Sequence, residues 1–374
     1  MEENKLEIFK DYQGVRLEER READLVAGTS YGLDVKILLE TADWGNFRPK
    51  HELQVIGSYE VGDITDSSSC VSFSASDILE AIFIFFIRDW LEASGYKGDV
   101  KNDEEIKLHL AKNINFKTAY LSGVGLNFLY VKGYIENGEP NFSDRFIAIN
   151  GHTTKYGAYQ ADVANGIKLV GLIPEKMLPF VKGFENYHNA QDITQEMVDL
   201  ATECKKYFFI DWEWVNKIDI MEKLEEAPLQ ATVLFANGDG ILKPEGRENH
   251  AIMIFKANKN ISASIDDSYI QETKEYGWEY FHNLLKYSIT DLNITIMDTK
   301  QFIADNDLVW VQNSDTGQFG RILQQQLRPI VSTDRGALAL LDDKVRGSQL
   351  LKGGKKVPAK LTNEEWKQLE GKPI

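Results

Sequence analysis

At 374 residues, with 43% hydrophobic and 11% aromatic residues, the chain has a globular composition, neither disordered nor fibrous. Its length exceeds one average domain, so two are expected. A formal net charge of −16 argues against nucleic acid as a partner.

The N-terminal MEENKLEIFKDYQG has no basic segment followed by an apolar one, so no secretory signal is read. A cytoplasmic or virion-associated protein is expected, with its two cysteines, Cys70 and Cys204, as free thiols. Residues 1–45 show little periodicity and read as a strap or extension. From Ser74 to Leu91 the pattern is helical. Ile78, Leu79, Ile82, Phe83, Phe86, Ile87, Trp90 and Leu91 cover more than one face, as in a central helix packed all round. The run ILEAIFIFFI is too short to span a bilayer, which needs about 20 apolar residues, so no membrane partner is expected.

Helices are further expected over DEEIKLHLAK (103–112), over YGAYQADVANGIKLVG with its terminal Gly171, and over ITQEMVDLATECKKYF with Thr194 as N-cap. After about residue 205 the segments FFIDWEWV, LQATVLFA, HAIMIFKA, SASIDDSYI and NITIMDT are short and β-rich. Helices first and strands second make an α+β arrangement of two lobes. In the tail, LVWVQN, QFGRIL and LRPIV read as a small meander. A helix is expected at about 333–345, a loop at KGGKK, and a last helix capped by Thr362 with Glu365. From Asp307 onward there are 11 Lys and Arg against 8 Asp and Glu, whereas the rest holds 31 against 50. That break marks a separate C-terminal module, whose basic excess fits docking onto an acidic protein partner.

Cys70 opens the central helix, where backbone N–H groups and the positive end of the helix dipole favour a thiolate. A nucleophilic cysteine needs a base, and the base needs an orienting group. His250 stands where a polar loop enters the strand HAIMIF, and the next β segment supplies Asp266 and Asp267. Strand alternation lets only one of the two face the histidine. The other histidines, 51, 109, 152, 188 and 282, show no metal-ligand spacing, and GVGLNF lacks the third glycine of a dinucleotide loop. No cofactor or metal is expected.

In order, these features resemble the papain-like cysteine peptidases: Ser67-Ser68-Ser69-Cys70 before a buried helix, Asn249-His250-Ala251-Ile252 entering a strand, then Asp267-Ser268-Tyr269. KYGAYQADVANGIKLVGLIPEKMLPF is similar to the family's cleft wall and following helix, and EEAPLQATVLF to the strand before its histidine. The resemblance covers roughly residues 40–300 and is closest to divergent phage and bacterial members. It implies a two-lobed α+β fold over residues 46–304, with the small β/α module from 305 to 374. It also implies peptide or amide hydrolysis through Cys70, His250 and Asp267 with an acyl-enzyme thioester, a polypeptide substrate, and Gly157 pairing with that substrate's backbone. The resemblance, not periodicity, prefers Asp267 over Asp266.

Asp267 stands where the family has asparagine, an anion that orients and stabilises an imidazolium at least as well, and three further positions depart from the family's pattern. Ile64 stands where the oxyanion glutamine belongs, and the nearest substitute is Gln54; a missing donor there would cost roughly 2.7–4 kcal/mol of transition-state stabilisation. Ser67 replaces a disulfide cysteine, and Tyr269 replaces a tryptophan. Two other readings stay open: a papain-like fold kept as a binding or virion-structural protein with little turnover, and another Cys-His-Asp acyl-transfer enzyme such as a transglutaminase or amidase.

Overall fold

The computed structural model describes residues 7–8, 15–16, 39, 41–50, 67–258, 262–268, 272–294, 310–313, 319–323, 326–329 and 359–361. The chain divides into two units, Met1–Asp24 with Asp34–Ile294, and Leu25–Leu33 with Thr295–Ile374.

The first unit is built around α1 (Cys70–Ala93), which starts four residues earlier and ends two later than its apolar pattern predicts. Its apolar residues surround the axis because the helix is packed on all sides, and its most apolar window is 94% buried within the protein. Phe83 meets Phe142 and Phe208 edge-on, with centroids 5.5 and 5.0 Å apart. Trp90 is fully buried and donates its indole N–H to the Phe116 carbonyl at 3.2 Å. The helix stops at Ser94, where Gly95 takes φ +82°, a conformation that a side chain would oppose.

Around α1 lie α2 (Asp103–Lys112), α3 (Gly123–Val131), α4 (Asp144–Asn150), α5 (Gln160–Val170), the single turn α6 (Phe184–Tyr187) and α7 (Gln195–Tyr207). The bounds of α2 agree with the sequence reading. α5 begins at Gln160 because Thr154 and Gly157 close a tight turn ahead of it, and it ends at Gly171 with φ +99°. Thr194 caps α7 by accepting from the Met197 N–H. GVGLNF, rejected as a dinucleotide loop, forms the start of α3, with Val124 and Asn127 exposed and the rest buried. There the Asp291 carboxylate accepts from the Ser122 N–H and hydroxyl at 2.8 and 2.7 Å.

The other face is a seven-stranded sheet. Its strands are β4 (Phe208–Trp214), β5 (Leu229–Val233), β7 (Ile241–Leu242), β8 (His250–Asn258), β9 (Ser262–Asp267), β10 (Glu272–Gly277) and β11 (His282–Asp291), in the spatial order β4-β11-β5-β8-β9-β10-β7. All neighbours are antiparallel except β10 and β7. α8 (Ile220–Glu226) links β4 to β5. Short pairs complete the unit: β1 (Glu7–Ile8) on β6 (Ala236–Asn237), and β2 (Ile135–Glu136) on β3 (Glu139–Pro140). The fold is α+β, as expected.

One strand was not expected from sequence, and one expected strand lies mostly outside the described residues. β11 carries HNLLKYSITD, which the sequence reading passed over, whereas Asn293 and Ile294 of NITIMDT lie in the turn after it. β11 mixes buried Lys286 into its apolar run because Glu213 and Glu226 neutralise that charge at 2.9 and 2.5 Å. A buried cation thus hides the strand from a pattern search.

In the second unit the described strands are β12 (Trp310–Asn313), β13 (Phe319–Leu323), β14 (Gln326–Pro329) and β15 (Ala359–Leu361), in the order β14-β13-β12-β15. The first three form the expected antiparallel meander, and β15 adds in parallel to β12. The expected helix at 333–345, KGGKK, Thr362 and Glu365 lie outside the described residues.

Candidate active site

Three serines lead into α1 along a bent backbone. Ser68 has φ +53°, and the Ser69 carbonyl accepts from the Ser72 and Phe73 N–H groups at 2.8 and 3.0 Å. His188 clamps this approach, its Nε2 2.7 Å from the Ser67 carbonyl and 3.4 Å from Ser69 Oγ. Cys70 is the first residue of α1, a position whose N–H the helix itself does not use. Its carbonyl accepts from Ser74 Oγ at 2.7 Å.

The sheet brings histidine and aspartate to this helix end. Val233 lies opposite His250 between β5 and β8, and Met253 lies opposite Asp266 between β8 and β9. Because β8 and β9 are antiparallel, the start of one lies beside the end of the other. His250 Nε2 is 3.2 Å from Asp267 Oδ1. The Ala251 N–H donates to Cys70 Sγ at 3.3 Å, which places the thiol against the His250–Ala251 step and favours its anionic form. Of the two ring nitrogens, it is Nε2 that is directed at Asp267. Cys70, His250 and Asp267 are each fully buried.

Asp266 turns elsewhere. Arg48 binds it through Nε and a terminal nitrogen at 2.8 and 2.7 Å, with its guanidinium stacked on Phe255. Of the two adjacent aspartates, it is therefore Asp267 that meets the histidine. Burial works against ionisation of Asp267. The hydrogen bond and charge of His250, and Lys274 beside it, outweigh burial and hold the carboxyl at about 2. Lys274 Nζ donates to Asp267 Oδ2 at 2.5 Å and lies 4.4 Å from the centre of the Phe235 ring. That ring meets His250 edge-on at 5.0 Å. Asn249, read from sequence only as part of a motif, accepts from the Phe235 N–H at 2.8 Å and so ties down the backbone that carries the ring.

Gly157 lies on the helical side with φ +86°. Its N–H and carbonyl both pair with Thr154, and the Ser68 hydroxyl reaches the neighbouring Lys155 carbonyl at 3.3 Å. The next residue, Ala158, accepts from the Arg16 N–H at 2.8 Å. Gln54, Ile64 and Tyr269 lie outside the described residues. Cys204 sits on α7, fully enclosed, where burial pushes its thiol up to about 12. Among the described residues no group of three or more His, Cys, Asp or Glu side chains could hold a metal ion. Lys274 and Gln230, which donates to the Val71 carbonyl and Ser74 Oγ at 2.8 Å each, were missed in sequence. Nothing in their local context sets them apart from ordinary strand residues.

No family model matches the sequence, and no curated protein matches it either. Among solved structures, the chain is similar to xylellain, a cysteine protease from Xylella fastidiosa. The two are 13% identical with a TM-score of 0.43, over 75% of this chain and 96% of the other. It is also similar to a structure from work on the mite allergens Blo t 1 and Der p 1, at 11% identity and a TM-score of 0.37, over 72% and 74% of the two chains. These neighbours are papain-like cysteine proteases. At such identities the likeness concerns the path of the chain and says nothing of any residue's role.

Proposed function

We propose that this protein is a cysteine peptidase hydrolysing peptide or amide bonds. The observation that carries the reading is the convergence on one helix end of a thiol at the first position of α1, the backbone of the His250–Ala251 step, and a histidine oriented by a buried carboxylate. Cys70 thiolate would attack the substrate carbonyl carbon, and the Cys70 N–H would donate to the developing oxyanion. His250 would protonate the leaving amine. Water would then resolve the thioester, with neutral His250 taking its proton. Asp267 fixes the ring so that Nδ1 faces the reaction.

The test is iodoacetamide alkylation followed by mass spectrometry across pH 4–10, paired with turnover of a mixed peptide library. Cys70 is buried, so its absolute rate also reads access, and the pH dependence is the diagnostic. The expected result is a Cys70 rate already near its plateau at pH 6, with Cys204 inert as internal control. His250→Ala should return Cys70 to ordinary thiol behaviour, and Cys70→Ser should abolish turnover. A Cys70 profile rising only above pH 8 in the wild type, unaltered by His250→Ala, would overturn the reading.

A further inference from the structure

Lys274 is a buried cation beside the carboxylate that orients His250. It stands on β10, diagonally across from Asp267, since Glu272 pairs with Asp267 and Lys274 with Ile265. It is 8% exposed, and its ammonium is divided between Asp267 Oδ2 and the face of Phe235. The Asp267 carboxylate thus accepts from His250 on one oxygen and from Lys274 on the other.

A bare buried carboxylate would orient the imidazole but would also hold it protonated. That would hinder the second half of the reaction, in which His250 must be neutral to accept a proton from water. We propose that Lys274 is a positioning residue that cancels the charge of Asp267, so that the pair orients His250 as a neutral hydrogen-bond acceptor would. This inference rests on the peptidase reading for its purpose, although the electrostatic coupling can be measured without it.

The other charged groups around the site do not take over this role. Asp266, one position earlier on β9, is paired with Arg48. Tyr276, further along β10, holds its proton because burial raises its hydroxyl, and it donates toward the Leu234 and Ala236 carbonyls. From α1 come Cys70 itself and Asp77, a buried carboxyl pushed well up by burial and by Asp266. Glu248, ahead of β8, pairs with His282 at 3.0 Å, and His188 faces Ser67 and Ser69. Among these, Lys274 is the cation in direct contact with the carboxylate that holds the histidine.

The experiment follows the His250 imidazole by nitrogen-15 NMR from pH 4 to 10 in the full chain, with the Cys70 alkylation profile measured in parallel. In Lys274→Met the His250 imidazolium should persist to higher pH by about one to two units, a ten- to hundred-fold change. The alkaline limb of the Cys70 profile should move with it. Lys274→Arg should keep the wild-type profile. Asp267→Asn alone leaves Lys274 facing an amide, so its limb should fall to lower pH. Asp267→Asn/Lys274→Met, neutral at both positions, should return the limb close to wild type. Charge-neutral replacement of a buried pair is commonly tolerated, so the double variant tests the idea even where Lys274→Met fails to fold.

The proposal is overturned if Lys274→Met leaves the His250 titration within 0.3 unit (about twofold) of wild type. It is also overturned if the double variant is displaced as far as Asp267→Asn. If wild-type Cys70 behaves as an ordinary thiol while the His250 titration still follows Lys274, the peptidase reading fails and the coupling stands.

Discussion

Gln230 has no part in the proposed chemistry, yet the position of the nucleophile depends on it. From the middle of β5 its amide donates to the Val71 carbonyl and to Ser74 Oγ, and Ser74 in turn donates to the Cys70 carbonyl. The first turn of α1 is thereby tied to the sheet that carries His250. Gln230→Met keeps the volume and removes both ties, at a cost of about 1–3 kcal/mol. The expected outcome is a melting temperature several degrees lower by calorimetry, with kcat falling more than KM rises, because the thiol is displaced and the substrate surface is not. Cys70 and His250 stood out in the sequence because each sits at a punctuated place, a serine run or a loop-to-strand step, whereas Asp267 was separated from Asp266 only by the family resemblance. Gln230 and Lys274 did not, because their significance comes from which strand lies alongside, and pairing order cannot be read from local pattern. Asn249 falls between these cases: it was noticed as a neighbour of His250, but its task of holding Phe235 depends on a turn 14 residues away.

The helices show a similar division. α2 and α7 carry caps and a single apolar face, and their bounds follow from those signals. α3 and α4 are short and enclosed, so they offer too little period to read. α4 also carries a pH-sensitive joint. Asp144 at its first position and Glu175 are buried carboxyls close enough for each to act on the other's ionisation. Tyr187 donates to Asp144 Oδ2, and the Phe180 N–H donates to Glu175 at 2.7 Å. Burial, reinforced by Asp144, raises Glu175 to about 10, and burial raises Asp144 to about 6. Groups raised in this way stabilise the fold fully below the ordinary carboxylate range, and the contribution is lost as pH climbs toward the folded values. Wild-type protein should therefore melt progressively lower between pH 5 and 10. Glu175→Gln, neutral at every pH, should melt like wild type at pH 5 and several degrees above it at pH 9. Equal slopes for the two proteins in a thermal scan across pH would show that Glu175 does not ionise late in the folded protein.

At the scale of the molecule, the two-lobed arrangement is legible from helices preceding strands, whereas the placement of β11 between β4 and β5 is not, because the ladder skips across the chain order. The arrangement puts Cys70, His250 and Asp267 where the N-terminus of a core helix abuts the sheet, and under the proposed peptidase reading a substrate would approach a protein whose overall charge is −16. A field of that sign concentrates cationic substrates near the surface and repels anionic ones, over a range set by the Debye length of about 8–10 Å at moderate salt. Two peptides identical around the cleaved bond but extended with distant lysines or distant glutamates should therefore differ. At 20 mM salt, kcat/KM for the lysine peptide should exceed that for the glutamate peptide several-fold. Raising salt to 500 mM should bring the two together, with kcat nearly constant, because distant charges act on encounter and not on the bond-breaking step. A preference that survives high salt would place the discrimination in direct contacts near the cleft. A reversed preference would mean that a local basic surface outweighs the whole-chain charge.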